Sequence, residues 1–232
     1  MLFEKDKIKA VLFDLDDTIL NTRDAQANAI CDFKGLFSEF NSISKEKFRE
    51  EWDKITEKCY EEYLNNEYSF KRLRIQRMKK LFLKYGTSIS DEEAKNRFKE
   101  YLEIYKKNWM LFTDSEEIIK EMKSKYKIAI LSNGDSNYQR EKIQKVGLNK
   151  YFSDIFISGD LGFEKPKKEV FEIASKKINV PIENCVMVGD KYKVDIEGST
   201  NAGMSAIWVN RKKQNINYKY QIKEIVELRK YL

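Results

Sequence analysis

Five short apolar runs recur along the chain, at residues 8–14 (IKAVLFD), 127–132 (KIAILS), 154–158 (DIFIS), 185–190 (CVMVGD) and 205–210 (SAIWVN). Each is too short for a buried helix and contains β-branched residues, so each predicts a strand buried on both faces. Segments with helical spacing separate them. One runs from Asp114 or Ser115 to about Tyr126, with Ile118, Ile119 and Met122 facing inward. Others span 136–146, closed by Gly147, 167–178, stopping before Pro181, and 194–202, closed by Gly203. Strands alternating with helices predict a Rossmann-like α/β core, a parallel sheet with helices on both faces.

The stretch 21–112 breaks this alternation. It holds no convincing strand, and its apolar residues recur at helical spacing, as in Phe33, Phe37 and Phe40, or Leu81 and Tyr85. It predicts four or so helices inserted after the first strand. The expected organisation is therefore a catalytic core of 1–20 and 113–232 and a helical insertion of 21–112.

Composition adds constraints. At 232 residues, 41% apolar and 35% charged, the chain suits one core with a sizeable insertion. The net charge of +6 is dispersed except in 71–80 (KRLRIQRMKK), six cations without an acid. A solvated helix face is the expected reading of that run; a mild field for an anionic substrate is another, and no nucleic-acid partner is expected. Three scattered cysteines fit neither a disulfide framework nor a zinc spacing, and Cys185 reads as core. With no secretory-signal pattern and no membrane-length segment, a reducing, cytoplasmic setting without a membrane partner is expected. The chain contains no histidine. That excludes Ser-His-Asp triads and imidazole metal sites, and leaves acid–base work and metal ligation mainly to carboxylates.

The predicted strands end in four chemical clusters. They are Asp14-Leu15-Asp16-Asp17-Thr18, Ser132-Asn133-Gly134, Lys165-Pro166, and Gly189-Asp190 with Asp195 following. On extended backbone Asp14 and Asp16 point to the same side. In open parallel sheets ligands gather beyond the carboxyl ends of strands, so the clusters have a reason to converge. Converging carboxylates repel one another, and Mg²⁺, with its preference for oxygen ligands, would balance them together with Lys165.

In motif and order the sequence resembles the phosphatase branch of the haloacid dehalogenase superfamily, which carries D-x-D-x-T, a later Ser/Thr, a Lys and G-D-x-x-x-x-D. The resemblance spans about 8–210, and the insertion matches that family's α-helical cap. It implies Asp14 as nucleophile forming an aspartyl-phosphate and Asp16 as general acid/base. Ser132 would bind a phosphoryl oxygen with backbone N–H groups near Asn133 and Gly134, and Lys165 would neutralise phosphoryl charge and orient Asp14. Mg²⁺ would be held by Asp14, Asp190 and the carbonyl of Asp16, with Thr18 and Asp195 behind them. Simpler roles exist: Asp17 points away, Thr18 fixes a turn, Ser132 caps a helix (Ser136 suits that better), and Asp195 serves a helix's first turn. The implied function is a phosphatase for a small phosphorylated metabolite, acting as monomer or homodimer. A dehalogenase would lack Asp16, a sugar-phosphate mutase usually has Gly-Val where this chain has Asp17-Thr18, and a non-catalytic scaffold would have lost the acids.

Overall fold

The apolar runs form strands β1 (Ala10–Phe13), β2 (Lys127–Ser132), β3 (Asp154–Ile157), β4 (Cys185–Gly189) and β5 (Ser205–Val209). The computed structural model describes residues 5–65 and 67–232, so the first four residues of the expected core lie outside the described residues. Helices α1 (Thr22–Lys34), α2 (Lys45–Leu64), α3 (Phe70–Lys84) and α4 (Asp91–Lys107) fall between β1 and β2. Then come α5 (Ser115–Lys125), α6 (Ser136–Lys145), α7 (Ser158–Leu161), α8 (Lys168–Lys177) and α9 (Gly198–Asn201). A sixth strand, β6 (Gln221–Ile222), was not expected; two residues without an apolar run leave no sequence signal. The predicted helix at 194–202 is instead a π-helical turn, Tyr192–Glu197, running into α9.

All strand pairs are parallel, in the order β3-β2-β1-β4-β5-β6. From β1 the chain steps outward to β2 and β3 on one side, then crosses back to β4 on the other side of β1. That reversal opens a crevice at the carboxyl end of β1. Phe13 is level with Ile130 and Val188, so Asp14 emerges beside the ends of β2 and β4. The sheet is buried on both faces, as its continuous apolar runs require. Val11 and Phe13 pack with Ile118, Ile119 and Met122 of α5 and Ile143 of α6. Ala10 and Leu12 face Val170, Phe171 and Ala174 of α8. Each fully buried large side chain contributes about 1.5–3 kcal/mol, which anchors the strand ends that carry the acids.

Two compact units result: the chain up to Thr22 with Trp109–Leu232, and Arg23–Asn108. Where the chain leaves and rejoins the first unit, its two segments pair antiparallel through Leu20 and Leu111. The second unit is a helical bundle with an aromatic centre. Phe40 lies 4.7 Å from Phe48 and 5.0 Å from Phe82, and Trp52 lies 4.8 Å from Tyr101. Ser90 and Glu93 form a capping box that starts α4.

The basic run on α3 departs from the expected solvated face. Arg72 and Lys79 pair with Asp91 and Lys80 pairs with Glu62, while Arg77 lies over Trp52 and Arg74 over Phe98. These cations are half-buried and held by their own unit. The Lys71 side chain lies outside the described residues. No described helix is long and apolar enough to cross a membrane.

Candidate active site

Asp14 follows β1 and is 7% exposed. A left-handed turn at Asp17 (φ 61°) bends the chain immediately after it; Asp tolerates this conformation better than most residues. Asp17 accepts a hydrogen bond from Thr22 Oγ1 at 2.7 Å. Its carboxylate thus serves the turn. Thr18 Oγ1 donates to Asp14 Oδ2 at 3.2 Å, so Thr18 orients the proposed nucleophile as well as lying in the turn.

Lys165 approaches Asp14 from the loop before α8. Its buried ammonium lies 2.7 Å from Asp14 Oδ1, 2.7 Å from Asp195 Oδ1 and 2.8 Å from the Leu131 carbonyl. Burial alone would lower the Lys165 pKa, but Asp14 and Asp195 outweigh it and hold the ammonium charged. The Asn133 side chain fixes this loop, donating to Lys165 O at 2.8 Å and accepting from Lys165 N at 2.9 Å. A backbone contribution was expected of Asn133; its side chain has this further, structural task.

Asp190 lies at the carboxyl end of β4, and Asp195 returns toward it from the π-helical turn. Asp195 Oδ2 accepts from Lys191 N at 2.9 Å. The approach is so close that a Cβ on Gly189 would sit 2.5 Å from the Asp195 carboxyl carbon, which requires glycine there. Gly198 is similarly constrained, with a Cβ position 2.9 Å from Pro166. Among the described residues, Asp14, Asp190 and Asp195 offer carboxylate oxygens that all lie within 4.8 Å of one another.

This cluster suits a divalent cation. Buried Asp190 Oδ1 has no hydrogen-bond partner among the described residues, an arrangement costly in the absence of a cation. Burial first, then its carboxylate neighbours Asp14 and Asp195, push Asp190 up to about 7. Burial pushes Asp14 up to about 6, against the opposing pull of Lys165. Three clustered oxygen donors match Mg²⁺, which binds through a few carboxylates plus water and substrate. Asp195, expected behind the ligands, has its carboxylate within the same cluster while pairing with Lys165 and Lys191 N.

The pKa directions give a testable pH dependence. Both raised carboxyls carry protons at pH 5 and have mostly lost them by pH 8, so a cation must displace protons at the lower pH. Mg²⁺ affinity, measured by calorimetry, should rise by about 100-fold or more from pH 5 to pH 8. Equal affinity at both would show that these carboxyls do not hold protons at pH 5.

Asp16 takes no part in the carboxylate cluster. Its Oδ1 lies 2.7 Å from Lys142 Nζ and its Oδ2 accepts from Gln139 Nε2 at 2.8 Å. Any part for Asp16 in metal binding therefore falls to its backbone carbonyl. Ser132 is 2% exposed; its Oγ accepts from Gln139 Nε2 at 2.8 Å and donates only a long, weak 3.4 Å bond to Asn133 O. Its proton is available to a phosphoryl oxygen. The Gly134 amide is not, because it donates to Ser158 Oγ at 2.9 Å. Helix α6 is capped by Asp135, which accepts from Tyr138 N, and not by Ser136. Gln139 and Lys142 were not anticipated; the one available signal was their i, i+3 spacing on the helix that follows Ser132. Cys185 is buried, and burial pushes its thiol up to about 12, as suits core packing.

A sequence profile of haloacid dehalogenase-like hydrolases matches residues 8–203, and the chain belongs to that family. It is 29% identical over 226 residues to N-acylneuraminate-9-phosphatase of Mus musculus, covering 88% of this chain and 84% of that protein. It is 26% identical over 205 residues to YfnB of Bacillus subtilis, covering 88% and 85%. The crystal structure of YfnB bound to magnesium superposes with a TM-score of 0.78 at 24% identity, covering 95% of this chain and 96% of that one.

Proposed function

We propose that this hydrolase is a Mg²⁺-dependent phosphatase of small phosphate monoesters that works through an aspartyl-phosphate on Asp14. The observation that carries the reading is the convergence of Asp14, Asp190 and Asp195 on one point, beside a buried lysine and an unpartnered Asp190 oxygen. Named phosphatases among the relatives support the monoester class.

Asp14 Oδ2 attacks phosphorus, and the bond to the ester oxygen breaks. Asp16 gives its proton to the departing alkoxide, then takes one from the water that attacks the phosphoryl group, releasing phosphate and free Asp14. Lys165 holds Asp14 by its other oxygen and offsets negative charge in both steps. Ser132 donates its hydroxyl proton to a phosphoryl oxygen. A bound magnesium ion would supply charge neutralisation and alignment of the phosphoryl group, held by Asp14, Asp190 and the Asp16 carbonyl, with Asp195 beside them. Phosphoryl transfer rests mainly on such positioning and charge.

We assign substrate choice to the helical unit Arg23–Asn108, because every side chain given a chemical task lies outside it. A cytoplasmic setting fits three free cysteines.

The test is phosphate release from nitrophenyl phosphate and from a panel of phosphorylated sugars, acids and nucleosides. Activity should require Mg²⁺, vanish with EDTA and return with Mg²⁺ but poorly with Ca²⁺, whose larger shell misplaces the reacting oxygens. Substitutions within 23–108 should change kcat/KM unequally across the panel. Full activity after exhaustive chelation would sink the metal assignment, and equal losses on every substrate would sink the assignment of specificity.

A further inference from the structure

Helix α6 carries two buried polar side chains that the reaction above leaves without a task, Gln139 at 2% exposure and Lys142 at 4%. A lysine this deep is rare unless it is paired. Its partner is Asp16 Oδ1 at 2.7 Å, and the Tyr138 ring lies 4.9 Å from the ammonium. Gln139 Nε2 lies 2.8 Å from Asp16 Oδ2, 2.8 Å from Ser132 Oγ and 3.0 Å from Asn133 O. A carboxylate and a carbonyl only accept, so the amide nitrogen, and not its oxygen, must face them. Both oxygens of Asp16 are thus held by donors from one helix. The same amide ties Asp16 to Ser132, on the neighbouring strand.

We infer that Gln139 and Lys142 are positioning residues that hold the Asp16 carboxylate in one orientation for proton transfer, in register with Ser132. This rests on the assignment of Asp16 as acid and base. Proton donors work only when held within a fraction of an ångström of the productive geometry. Asp16 is only partly buried, at 29% side-chain exposure, so close packing alone does not fix its torsions. The two donors supply the restraint from opposite oxygens. Simple charge balance accounts for Lys142 but not for Gln139, which is neutral and spans acid and hydroxyl.

The test uses the full chain with Mg²⁺ and phosphate monoesters whose leaving groups range from nitrophenol to simple alkyl alcohols. Nitrophenolate departs without a proton, whereas an alkoxide needs one. For Lys142→Met and Gln139→Leu, kcat/KM should fall about 10- to 100-fold more on alkyl than on nitrophenyl esters. Lys142→Arg should recover most of the alkyl activity. In an Asp16→Asn background, either substitution should add less than about a 2-fold loss. Gln139→Leu removes no charge and keeps the test open should Lys142→Met not fold. Equal losses on all leaving groups, or losses that add fully to those of Asp16→Asn, would overturn the inference and leave both residues structural. Should Asp16→Asn itself show no dependence on leaving group, the acid/base assignment falls and the inference with it. A dependence in Asp16→Asn without one in the helix variants removes the inference alone.

Discussion

Asp14→Asn should lower kcat by at least about three orders of magnitude with the fold intact. The amide keeps the shape of the side chain but carries no charge. It cannot attack phosphorus, and it weakens the cation cluster in which Asp14 stands with Asp190 and Asp195. Two functions fail at one atom pair, so the loss should exceed that of any substitution touching only one of them. Stability should move little or improve at neutral pH. Asp14 is nearly inaccessible and its pKa is raised to about 6 by burial, so its ionised form costs the fold stability there. Thermal melting and steady-state turnover check the two halves. More than about a tenth of the wild-type rate would place the nucleophile elsewhere.

Lys165→Met should be nearly as damaging to activity and far worse for stability. The ammonium is 1% exposed and lies 2.7 Å from both Asp14 and Asp195. Removing it leaves buried Asp14 and Asp195 without the counter-charge that touches them, a change that costs about 3–5 kcal/mol for a broken buried pair. Lost stabilisation of transferring charge should reduce kcat by about 100- to 1000-fold. The stability loss should depend on pH in a definite direction. A carboxyl whose folded pKa exceeds its unfolded value costs stability as pH rises between the two. Asp14 and Asp190 are already raised to about 6 and about 7, and loss of Lys165 raises Asp14 further. The melting temperature should therefore fall most above about pH 7 and recover toward pH 5, where protons neutralise the acids. Added Mg²⁺ should restore part of it at pH 8. A deficit independent of pH would show that Lys165 stabilises by packing alone.

The strands were legible because each is a continuous apolar run bounded by polar or turn residues, and two of them stop at an acid, Asp14 and Asp190. Asp14 and Asp190 were readable as candidates for the same reason: ionisable groups at buried strand ends are costly unless they act; Lys165, in the loop before α8, was readable through its place in the motif order. Gln139 and Lys142 were hidden by the opposite circumstance. Polar residues on an amphipathic helix ordinarily face water, and an i, i+3 spacing alone does not mark these two as the buried ones. The side-chain role of Asn133 left no local signal because its partner, the backbone of Lys165, lies 32 positions away. The cations of α3 looked solvated because their partners Glu62 and Asp91 belong to neighbouring helices. Local pattern reports burial of runs; it does not report which distant group satisfies a lone polar side chain.

The covalent step on Asp14 is the centre of the account, and trapping it is the most direct test. Asp16→Asn protein would be mixed with nitrophenyl phosphate and Mg²⁺, quenched in acid within milliseconds, reduced with borohydride and mapped by peptide mass spectrometry. An acyl phosphate reduces to homoserine at the phosphorylated aspartate. The account predicts homoserine at position 14, alongside a burst of nitrophenol stoichiometric with enzyme. Nitrophenol release with Asp14 unchanged, or homoserine at another aspartate, would contradict it.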